Sequence, residues 1–466
     1  MLKLCNKGSV TIKKKVSYFC SKCGFESPKW TGRCSGCDSW NTLEEVVAEK
    51  KKHFPAFREN TAVKRLSEVV SSNSDRIITD LSEFNRVLGG GIVKDSLTIL
   101  SARPGAGKST LLLQVSDNIA SQGYKVLYAS AEESESQLKS RADRILCNIN
   151  RSIWITSDTS MDNVLTAVNQ INPDLIIVDS IQTFSLEAYG SRPGSPIQTM
   201  ECANELLKIA KSPERPRAVI IVGQMTKEDE IAGLRALEHL VDTVLIIDGE
   251  SGEELRGLLC TKNRFGSTGE MGFFALTDAG MTSIDNPSEF FMTNREDGEK
   301  ALGSALTVIK EGSRPIIVEI ESLVSKAFTP YPSRIAECLK RDQLNTLIAI
   351  LEQRGGIDLY SQNVVIKTTG GLQLKDQSVN LAIIMSIVSS IKNMPLPNNT
   401  AFLADVGLTG ELKKVPLLEG RVRELERMGF NTVYIAKNAL KDLLKFKSIK
   451  IVELNTINDV ISNMKF

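Results

Sequence analysis

A short apolar run, followed by a loop and a helix-forming segment, constrains the fold of this 466-residue chain more than any other feature. Residues 97–101 are mainly aliphatic or β-branched, residues 102–110 read Ala-Arg-Pro-Gly-Ala-Gly-Lys-Ser-Thr, and an apolar helical pattern follows. Glycines in such a loop let backbone N–H groups turn inward around phosphates at the N-terminus of a helix. In this pattern the lysine contacts the β- and γ-phosphates of ATP, and the hydroxyl after it ligates Mg²⁺. The predicted ATP-binding residues are therefore Arg103, Pro104, Gly105, Ala106, Gly107, Lys108, Ser109 and Thr110.

Three polar residues that follow other apolar runs would complete such a site. Asp179 ends one predicted strand, where a carboxylate can hold Mg²⁺ directly or through water, with Ser109 as the other metal ligand. Glu132 follows another and could orient or deprotonate the attacking water, with Glu133 as the alternative. This acidic pair could instead simply start a helix, where the dipole favours it. Gln224 follows a further strand and could sense the γ-phosphate and move the loop after it.

The region from 61 to 285 alternates short apolar runs with amphipathic stretches. The runs predict strands at 97–101, 125–129, 153–156, 175–179, 218–222 and 243–247. The stretches between them predict helices at 110–119, 136–147, 162–171 and 199–211. Because the runs are apolar on both sides, we expect an α/β fold with a parallel sheet covered on both faces.

Composition excludes several classes of protein. With 42% hydrophobic and 24% charged residues, the chain is an ordinary globular sequence rather than a disordered, collagenous or coiled-coil one. No apolar run approaches the roughly 18 residues that a membrane span needs, and no apolar segment of a secretory signal follows the basic N-terminus. Nine cysteines, an odd number, then favour the reducing cytoplasm.

Four of the cysteines are clustered. Cys20, Cys23, Cys34 and Cys37 have the spacing Cys-x2-Cys-x10-Cys-x2-Cys, in which each pair can bring two thiolates to one ion. A closed shell of four thiolates leaves no open coordination position, so a structural Zn²⁺ site is predicted. The other interpretation, a thioredoxin-like redox pair, fits poorly because two paired motifs occur without a βαβ pattern.

Composition divides the chain into four parts. We expect a zinc-finger module with a basic linker at 1–60, an ATPase domain at 61–285, a linker of turn-favouring residues at 286–300 and a second α/β domain at 301–466. Residues 1–65 carry 14 Lys and Arg but only 6 Asp and Glu. Such a basic arm suggests a polyanionic partner, or is simply a solvated tail.

These motifs together resemble the bacterial RadA (Sms) family of DNA repair proteins over nearly the whole chain. The resemblance rests on the four-cysteine finger, the phosphate loop, and the segments 132–134, 178–183, 226–228, 237–239, 241–244, 262–266 and 286–289. It implies a RecA-like ATPase core, related to replicative DnaB helicases, that forms a homo-hexamer. It also implies an ATP-driven motor that binds single-stranded and branched DNA, promotes branch migration of recombination intermediates and accompanies a RecA-type recombinase. Two departures are Ala102, where the family usually has Gly, and Gln224, where it more often has His.

The pentapeptide Lys-Asn-Arg-Phe-Gly at 262–266 is diagnostic of that family. Lys262 and Arg264 alternate on an extended segment, so both side chains should point to the same side. In RecA- and DnaB-like rings the ATP site lies between subunits, and such cations act on the neighbour's γ-phosphate, raising the rate by roughly 10³–10⁵. A role in binding DNA phosphates is the alternative for this pair.

The last third, residues 301–466, contains Gly303-Ser304-Ala305, the stretch 405–412 and the segment 421–435 that leads into a last strand. In these features it resembles the proteolytic domain of Lon, as the C-terminal domain of that family does. Lon proteases use a Ser-Lys dyad. Ser378 lies near the nucleophile position, where the family usually has Ala, but Glu419 occupies the lysine position and cannot act as a neutral amine base. We therefore expect a non-proteolytic domain for ring assembly and DNA binding. Candidate DNA contacts are Arg314, Lys340, Arg341 and Lys367.

Two other functional classes remain open. A KaiC-like signalling ATPase would share the RecA-like core but normally lacks the finger and the Lon-like domain. A regulated protease would need a working Ser-Lys pair. Stimulation of ATP turnover by DNA distinguishes the first from a DNA motor, and a proteolysis assay tests the second.

Overall fold

The computed structural model describes residues 16–47, 67, 76–224, 233–249, 253–293, 295, 299, 301–442 and 446–464. These fall into two compact units, Met1–Ser283 and Ile284–Phe466, which are treated separately below. Much of the basic arm at 1–65 and the loop after Gln224 lie outside the described residues.

The N-terminal part of the first unit is a small antiparallel sheet. Its strands, in the spatial order β2-β1-β3, are β1 (Val16–Cys20), β2 (Glu26–Ser27) and β3 (Leu43–Val47). Among its side chains that the structure describes, Leu43 and the cysteines Cys20 and Cys34 form the buried cluster, with Tyr18 and Cys37 packed against them. So small a core cannot hold a fold by itself, and a bound metal has to replace it.

The rest of the first unit is a layered α/β domain. Its strands are β4 (Arg76–Ile77), β5 (Ile92–Val93), β6 (Leu97–Ala102), β7 (Val126–Ser130), β8 (Ile153–Thr156), β9 (Leu175–Asp179), β10 (Ala218–Gln224), β11 (Thr243–Asp248), β12 (Leu255–Asn263), β13 (Met271–Thr277) and β14 (Gly280–Ser283). Its helices are α1 (Ser82–Val87), α2 (Lys108–Ser121), α3 (Glu135–Ile145), α4 (Met161–Ile171), α5 (Pro196–Ala210) and α6 (Gly233–Leu240).

One large sheet organises this domain. Among the described residues it has nine strands in the order β14-β13-β12-β11-β6-β10-β9-β7-β8. The six strands from β11 to β8 are parallel, and β12, β13 and β14 extend the sheet with antiparallel strands. The aliphatic strand residues point alternately into two separate hydrophobic clusters, one on each face. The predicted α/β fold with a covered parallel sheet is confirmed.

The second unit is built on a mixed sheet of seven strands within the described residues, ordered β17-β18-β16-β15-β19-β22-β23. Its strands are β15 (Ser304–Glu311), β16 (Arg314–Lys326), β17 (Arg334–Ala336), β18 (Gln362–Thr368), β19 (Thr400–Leu403), β20 (Asp405–Val406), β21 (Leu412–Lys413), β22 (Thr432–Ala436) and β23 (Lys450–Leu454). Its helices are α7 (Pro287–Phe290), α8 (Arg341–Gly355), α9 (Asn380–Lys392), α10 (Leu418–Arg427) and α11 (Ile457–Asn463). Strands β20 and β21 form a separate hairpin.

Part of the stretch predicted as a linker, residues 286–300, is packed within this second unit. Residues Pro287–Phe290 form a short helix, and the Ser288 hydroxyl accepts a hydrogen bond from the backbone of β16. The Phe291 side chain is buried, and the backbone N–H of Thr293 donates to the carboxylate of Glu319 at 2.8 Å. Turn-favouring residues therefore mark the start of the second unit here, because apolar and hydroxyl side chains among them have partners in its sheet.

Candidate nucleotide site and metal centre

The predicted phosphate loop joins β6 to α2 in the structure. Strand β6 ends at Ala102, and α2 begins at Lys108. Gly105 and Gly107 both have positive φ angles, 79° and 98°, which side chains other than glycine rarely adopt. A Cβ atom on Gly107 would also lie 2.7 Å from the Met281 side chain. The local backbone thus requires glycine at the position that turns the chain into the helix and opens its N–H groups toward a phosphate.

Asp179, at the carboxyl end of β9, faces the loop. Its Oδ2 atom lies 3.4 Å from the Ser109 hydroxyl and accepts a hydrogen bond of 2.9 Å from the hydroxyl of Tyr128. Burial raises the pKa of the Asp179 carboxyl; the Tyr128 hydrogen bond opposes this shift, as does the positive charge of Lys108, while the negative charge of Glu132 adds to it. The structure therefore brings together residues from three separate sequence motifs. They are Lys108 and Ser109 of the phosphate loop, Asp179 at the end of β9, and Glu132 after β7. Oxygen ligands of this kind fit Mg²⁺, which binds carboxylate and hydroxyl groups together with phosphates.

Tyr128 was not among the residues predicted from the sequence. It lies in the middle of β7, is completely buried, and has a pKa raised well above its usual value by burial and by the negative charge of Asp179. Its hydroxyl therefore stays protonated and acts as a donor. The one sequence signal was a tyrosine within a run of aliphatic strand residues, whose hydroxyl must find a partner when buried.

The acidic pair after β7 divides between two environments. Glu133 forms an ion pair with Arg141 on α3, whereas Glu132 is exposed at the edge of the sheet where β9 also ends. Helix α3 begins only at Glu135, and the side chain of Ser134 caps it. Because both glutamates precede that cap, neither belongs to the first turn of the helix. Its position at this sheet edge keeps Glu132 as the candidate for orienting a water molecule near the γ-phosphate.

Gln224 is the last residue of β10 and pairs with Ala102, the residue immediately before the phosphate loop. The backbone thus brings residue 224 to the same sheet edge as Lys108, Glu132 and Asp179. This is the edge formed by the carboxyl ends of parallel strands, where such folds bind ligands.

Lys262 and Arg264 lie at the opposite edge, where the parallel strands begin. This edge is called the lower edge, and the edge with the phosphate loop is called the upper edge. The Arg264 guanidinium is 3.1 Å from the carboxylate of Asp242, which in turn accepts a hydrogen bond from the backbone N–H of Leu97, the first residue of β6. Lys262 donates to the backbone carbonyl of Glu238, which lies near the end of α6, four residues before Asp242. Since β6 has six residues and a strand rises by about 3.3 Å per residue, about 17 Å of strand separates these cations from the phosphate loop of their own chain. The structure therefore does not bring them to the site that contains Lys108.

The four predicted zinc ligands converge in the small N-terminal sheet. Their sulfur atoms all lie within 4.8 Å of one another, with Cys20 and Cys37 Sγ 3.6 Å apart and Cys23 and Cys34 Sγ 3.5 Å apart. Sulfur atoms at about 2.3 Å from a tetrahedral zinc ion are about 3.8 Å apart, so the arrangement fits Zn²⁺. The Thr42 hydroxyl lies 3.2 Å from Cys20 Sγ and can stabilise its thiolate.

In the second unit, the environment of Ser378 differs from that of a protease nucleophile. The side chain is completely buried, and its hydroxyl oxygen accepts a hydrogen bond of 2.8 Å from the guanidinium of Arg421. Arg421 also pairs with Asp376. Glu419 lies on α10, where it pairs with Arg423. Arginine keeps its proton at all physiological pH values and cannot act as the base for this hydroxyl.

Comparisons with known proteins agree with this architecture. A family model described as an AAA domain matches residues 62–229, and one described as a rubredoxin metal binding domain matches residues 18–45. Together with the fold and the convergent side chains, they define a P-loop ATPase that carries a four-cysteine zinc module. Its cofactors are ATP with Mg²⁺, and Zn²⁺.

Similarity over the full chain identifies the family. The DNA repair protein RadA of Bacillus subtilis (strain 168) is 42% identical over 455 residues, which cover 96% of this chain and 98% of that protein. RadA of Streptococcus pyogenes serotype M3 is 41% identical, and RadA of Listeria monocytogenes serovar 1/2a is 38% identical, each over 452 residues and with 96% and 98% coverage of this chain and the relative. The chain belongs to the family of the DNA repair protein RadA, as the sequence motifs predicted. In the part of the chain that the structure describes, no helix is long and apolar enough to cross a membrane.

Proposed function

We propose that this chain is an ATP-driven DNA motor of recombinational repair, which binds single-stranded DNA and promotes branch migration of recombination intermediates. Membership of a DNA repair ATPase family supports the process, and the convergent nucleotide site supports the energy source. The main support for a motor is that the phosphate loop and the Lys262–Arg264 pair lie at opposite edges of the sheet. Hydrolysis that uses both would therefore need a neighbouring subunit.

In this proposal each residue of the nucleotide site has a distinct task. Lys108 neutralises charge on the β- and γ-phosphates, while Ser109 and Asp179 hold Mg²⁺. Glu132 orients the attacking water, and Gln224 responds to the γ-phosphate at the start of the loop that follows β10. The backbone segments that carry these five residues end at one sheet edge, which supports a reaction without a large rearrangement within the domain.

Lys262 and Arg264 would act on the nucleotide of a neighbouring subunit. They cannot reach their own phosphate loop across the length of β6. In a head-to-tail ring, however, the lower edge of one subunit, which holds these cations, would lie near the upper edge of the next subunit, which holds its phosphate loop. The pKa of Lys262 is lowered by burial and by the positive charge of Arg264. Two cations that repel each other at a partly exposed edge favour an anion between them, and a γ-phosphate is such an anion. We propose that the ring is a homo-hexamer, which is the assembly that the resemblance to ring motors implies.

Mixing two inactive variants tests the shared site. Lys108→Ala should abolish hydrolysis at the variant's own loop, and Arg264→Ala should abolish hydrolysis at the neighbour's loop. In a random one-to-one mixture, about a quarter of the interfaces of a head-to-tail ring would join an intact loop to an intact cation pair. We expect basal ATPase activity without DNA to reappear in the mixture at roughly that fraction. No recovery in the mixture, although both variants assemble, would refute the shared site.

Single-stranded DNA provides the second test, because a motor should couple turnover to its track. We expect DNA to stimulate ATP hydrolysis by the zinc-loaded wild type, and DNA affinity to fall steeply as salt increases because phosphate contacts release counterions. Wild-type basal activity of Arg264→Ala with loss of DNA stimulation alone would assign the pair to DNA phosphates. Turnover that is indifferent to DNA would instead favour a signalling ATPase.

The outer parts of the chain would serve the motor. We propose that the zinc module engages DNA or a RecA-type recombinase, and that the second unit is a non-proteolytic Lon-like domain for assembly and DNA binding. The bonding of Ser378 to Arg421 supports the lack of proteolysis, which a casein assay of the wild type tests. Of the basic side chains expected to touch DNA, Lys340 and Arg341 are exposed at the start of α8, whereas Lys367 is paired with Glu321 and Arg314 binds the Asp285 carbonyl.

A further inference from the structure

We propose that Asp242 is a positioning residue that holds Arg264 in place for the nucleotide of the neighbouring subunit. This inference rests on the proposed function of Arg264 in a shared ATP site. It assigns a role to the buried carboxylate of Asp242, which is not part of the nucleotide site of its own chain.

The carboxylate of Asp242 is almost completely buried, with 2% of the residue exposed, at the lower edge of the sheet between β6 and β11. Its Oδ1 atom accepts from the Arg264 guanidinium at 3.1 Å. Its Oδ2 atom accepts from the backbone N–H of Leu97 at 3.1 Å and lies 2.9 Å from Nζ of Lys211. Both oxygens are therefore occupied, and the carboxylate cannot rotate without losing these contacts.

Within the part of the chain that the structure describes, the Arg264 guanidinium is anchored by its bond to Asp242. Its exposed fraction is 55%, and the bond to Asp242 uses one of its five N–H donors. The remaining donors can contact a second anion while the first stays on the carboxylate. Because a long side chain that is free in solvent samples many rotamers, anchoring it in advance reduces the entropy lost when it meets a phosphate.

The charges around Asp242 favour an incoming anion. One buried carboxylate is shared by Arg264 and Lys211, and Lys262 lies close enough to Arg264 for the two positive charges to affect each other. Lys211 also lies over the ring of Phe265, 5.6 Å from its centroid, next to Arg264 in the chain. The carboxylates of Asp242 and Glu238 balance part of this positive charge, and the three cations still leave an excess at the edge that would face a neighbour. The edge therefore keeps the positive charge that attracts a phosphate, while Asp242 fixes the orientation of the Arg264 guanidinium.

Backbone carbonyl groups of residues 238 and 242 also hold Lys262 and Arg264 in place. The N–H of Arg264 donates to the carbonyl of Asp242 at 3.1 Å, and Lys262 bonds to the carbonyl of Glu238 at the end of α6. These main-chain acceptors do not depend on the carboxylate. Asp242→Asn should therefore keep the backbone and an acceptor for Leu97, while it removes the charge that holds the guanidinium.

The test measures steady-state ATP hydrolysis and nucleotide binding of the full-length Asp242→Asn variant. We expect kcat to fall by about 10²-fold, since small displacements of a catalytic group have effects of this size, with nearly unchanged affinity for a fluorescent ATP analogue. Mixing Asp242→Asn with Lys108→Ala should restore basal activity. The Asp242→Asn subunit keeps an intact phosphate loop, and the Lys108→Ala subunit supplies a correctly held Arg264 to it. A merely structural defect would impair the variant's own loop as well and would not be rescued.

Asp174→Asn is the matched control. Asp174 also accepts a backbone N–H at the lower edge of the sheet, from Lys125, and also binds an arginine, Arg215. It has no contact with the 262–266 segment among the hydrogen bonds and ion pairs of the described residues. Its variant should retain kcat within about twofold, since it loses a comparable carboxylate without freeing a cation of the shared site.

Three results would overturn the proposal: wild-type kcat in Asp242→Asn, a loss that mixing does not restore, or an equal loss in the control. If Asp242→Asn does not fold, Asp242→Glu replaces it, and a reduced kcat that mixing restores is again the expected result. Failure of the Arg264→Ala and Lys108→Ala mixture to recover would refute the shared site itself. Recovery in that mixture with no effect of Asp242 substitution would refute the positioning role alone.

Discussion

The hydrogen bond from Tyr128 to Asp179 predicts how strongly the nucleotide site depends on a residue that touches neither phosphate nor metal. Tyr128→Phe removes one oxygen atom from a completely buried side chain and leaves the ring in place. The change therefore opens little space, and its main consequence is that Asp179 Oδ2 loses a donor at 2.9 Å. In the wild type this bond holds the carboxylate oxygen that also faces the Ser109 hydroxyl, 3.4 Å away.

The size of the effect follows from the kind of bond. A hydrogen bond to a charged group contributes about 1.5–3 kcal/mol, and substitution of groups that orient metal ligands typically lowers metal affinity by about 10–100-fold. Asp179 is already harder to ionise because it is buried, and Tyr128 opposes that shift. Loss of the hydroxyl should thus reduce both the ionisation and the orientation of the ligand. We expect the Mg²⁺ concentration for half-maximal ATP turnover to rise about tenfold.

Two titrations measure this: ATP hydrolysis against Mg²⁺, and binding of Mn²⁺ in the presence of ADP followed by electron paramagnetic resonance. Tyr189→Phe is a matched control, because the Tyr189 hydroxyl also donates to a carboxylate, that of Glu201 at 3.0 Å, outside the nucleotide site. It should leave both titrations unchanged. The reasoning would be refuted if Tyr128→Phe kept wild-type metal dependence, or if both tyrosine variants shifted it equally.

Three further predictions concern stability. Cys37→Ser should abolish stoichiometric zinc binding and make residues 16–47 sensitive to protease, while the ATPase core keeps its thermal transition because it has its own hydrophobic clusters; an unchanged zinc content would contradict this. Burial works against ionisation of Glu319, but bonds from Ser304, Arg295 and Thr293 outweigh it and lower the pKa, so its stabilisation is present at neutral pH and is lost as pH falls below about 4. Glu319→Gln should therefore lower the free energy of unfolding of the second unit by about 1.5–3 kcal/mol at pH 7, and denaturant titrations should show this difference shrinking in acid. Arg421→Met should cost about 3–5 kcal/mol in the same assay, because it leaves the partly buried Asp376 without its partner; stability near wild type would argue that the pair contributes little.

The six parallel strands of the ATPase core could be predicted from sequence because each is a short apolar run, and all of them except the edge strand β8 are mainly buried. Such strands form continuous aliphatic runs, and two of the predictions, at 153–156 and 175–179, agree with β8 and β9 at both ends. The others differ by one or two residues. At the end of β10 the strand continues to Gln224, past the last aliphatic residue, because pairing with β6 extends as far as Ala102.

The antiparallel extension, β12 to β14, was not predicted. Strand β12 alternates buried and partly exposed residues instead of forming an apolar run, and contains Gly257, Arg256 and Lys262. Arg256 is nevertheless buried at 3% exposure, where its guanidinium donates to backbone carbonyls. A charged residue at a core position hides the period of two that would otherwise indicate a strand.

The candidate residues for binding phosphate and Mg²⁺ could be predicted from sequence, but the residues proposed to position functional side chains could not. Lys108, Ser109 and Asp179 belong to local patterns whose spacing carries the chemistry. Tyr128 and Asp242 act through partners 51 and 22 positions away in the chain, and that separation is set by strand order, not by a motif. The fold is therefore needed to show that the Tyr128 hydroxyl faces Asp179 and that the Asp242 carboxylate faces Arg264.

Strand order also explains why two groups of functional residues in one chain need not share one site. Parallel strands place all their carboxyl ends at one edge, so a loop after β6, a carboxylate after β9 and a glutamate after β7 are brought together. Strand β12 runs the other way, and its end with Lys262 therefore lies at the edge where the parallel strands begin. An antiparallel strand beside a parallel sheet is thus a simple means of carrying cations to the far side of the domain. If subunits stack edge to edge, that reversal alone makes hydrolysis depend on assembly, since a single chain holds the phosphate loop and the cations about a strand's length apart.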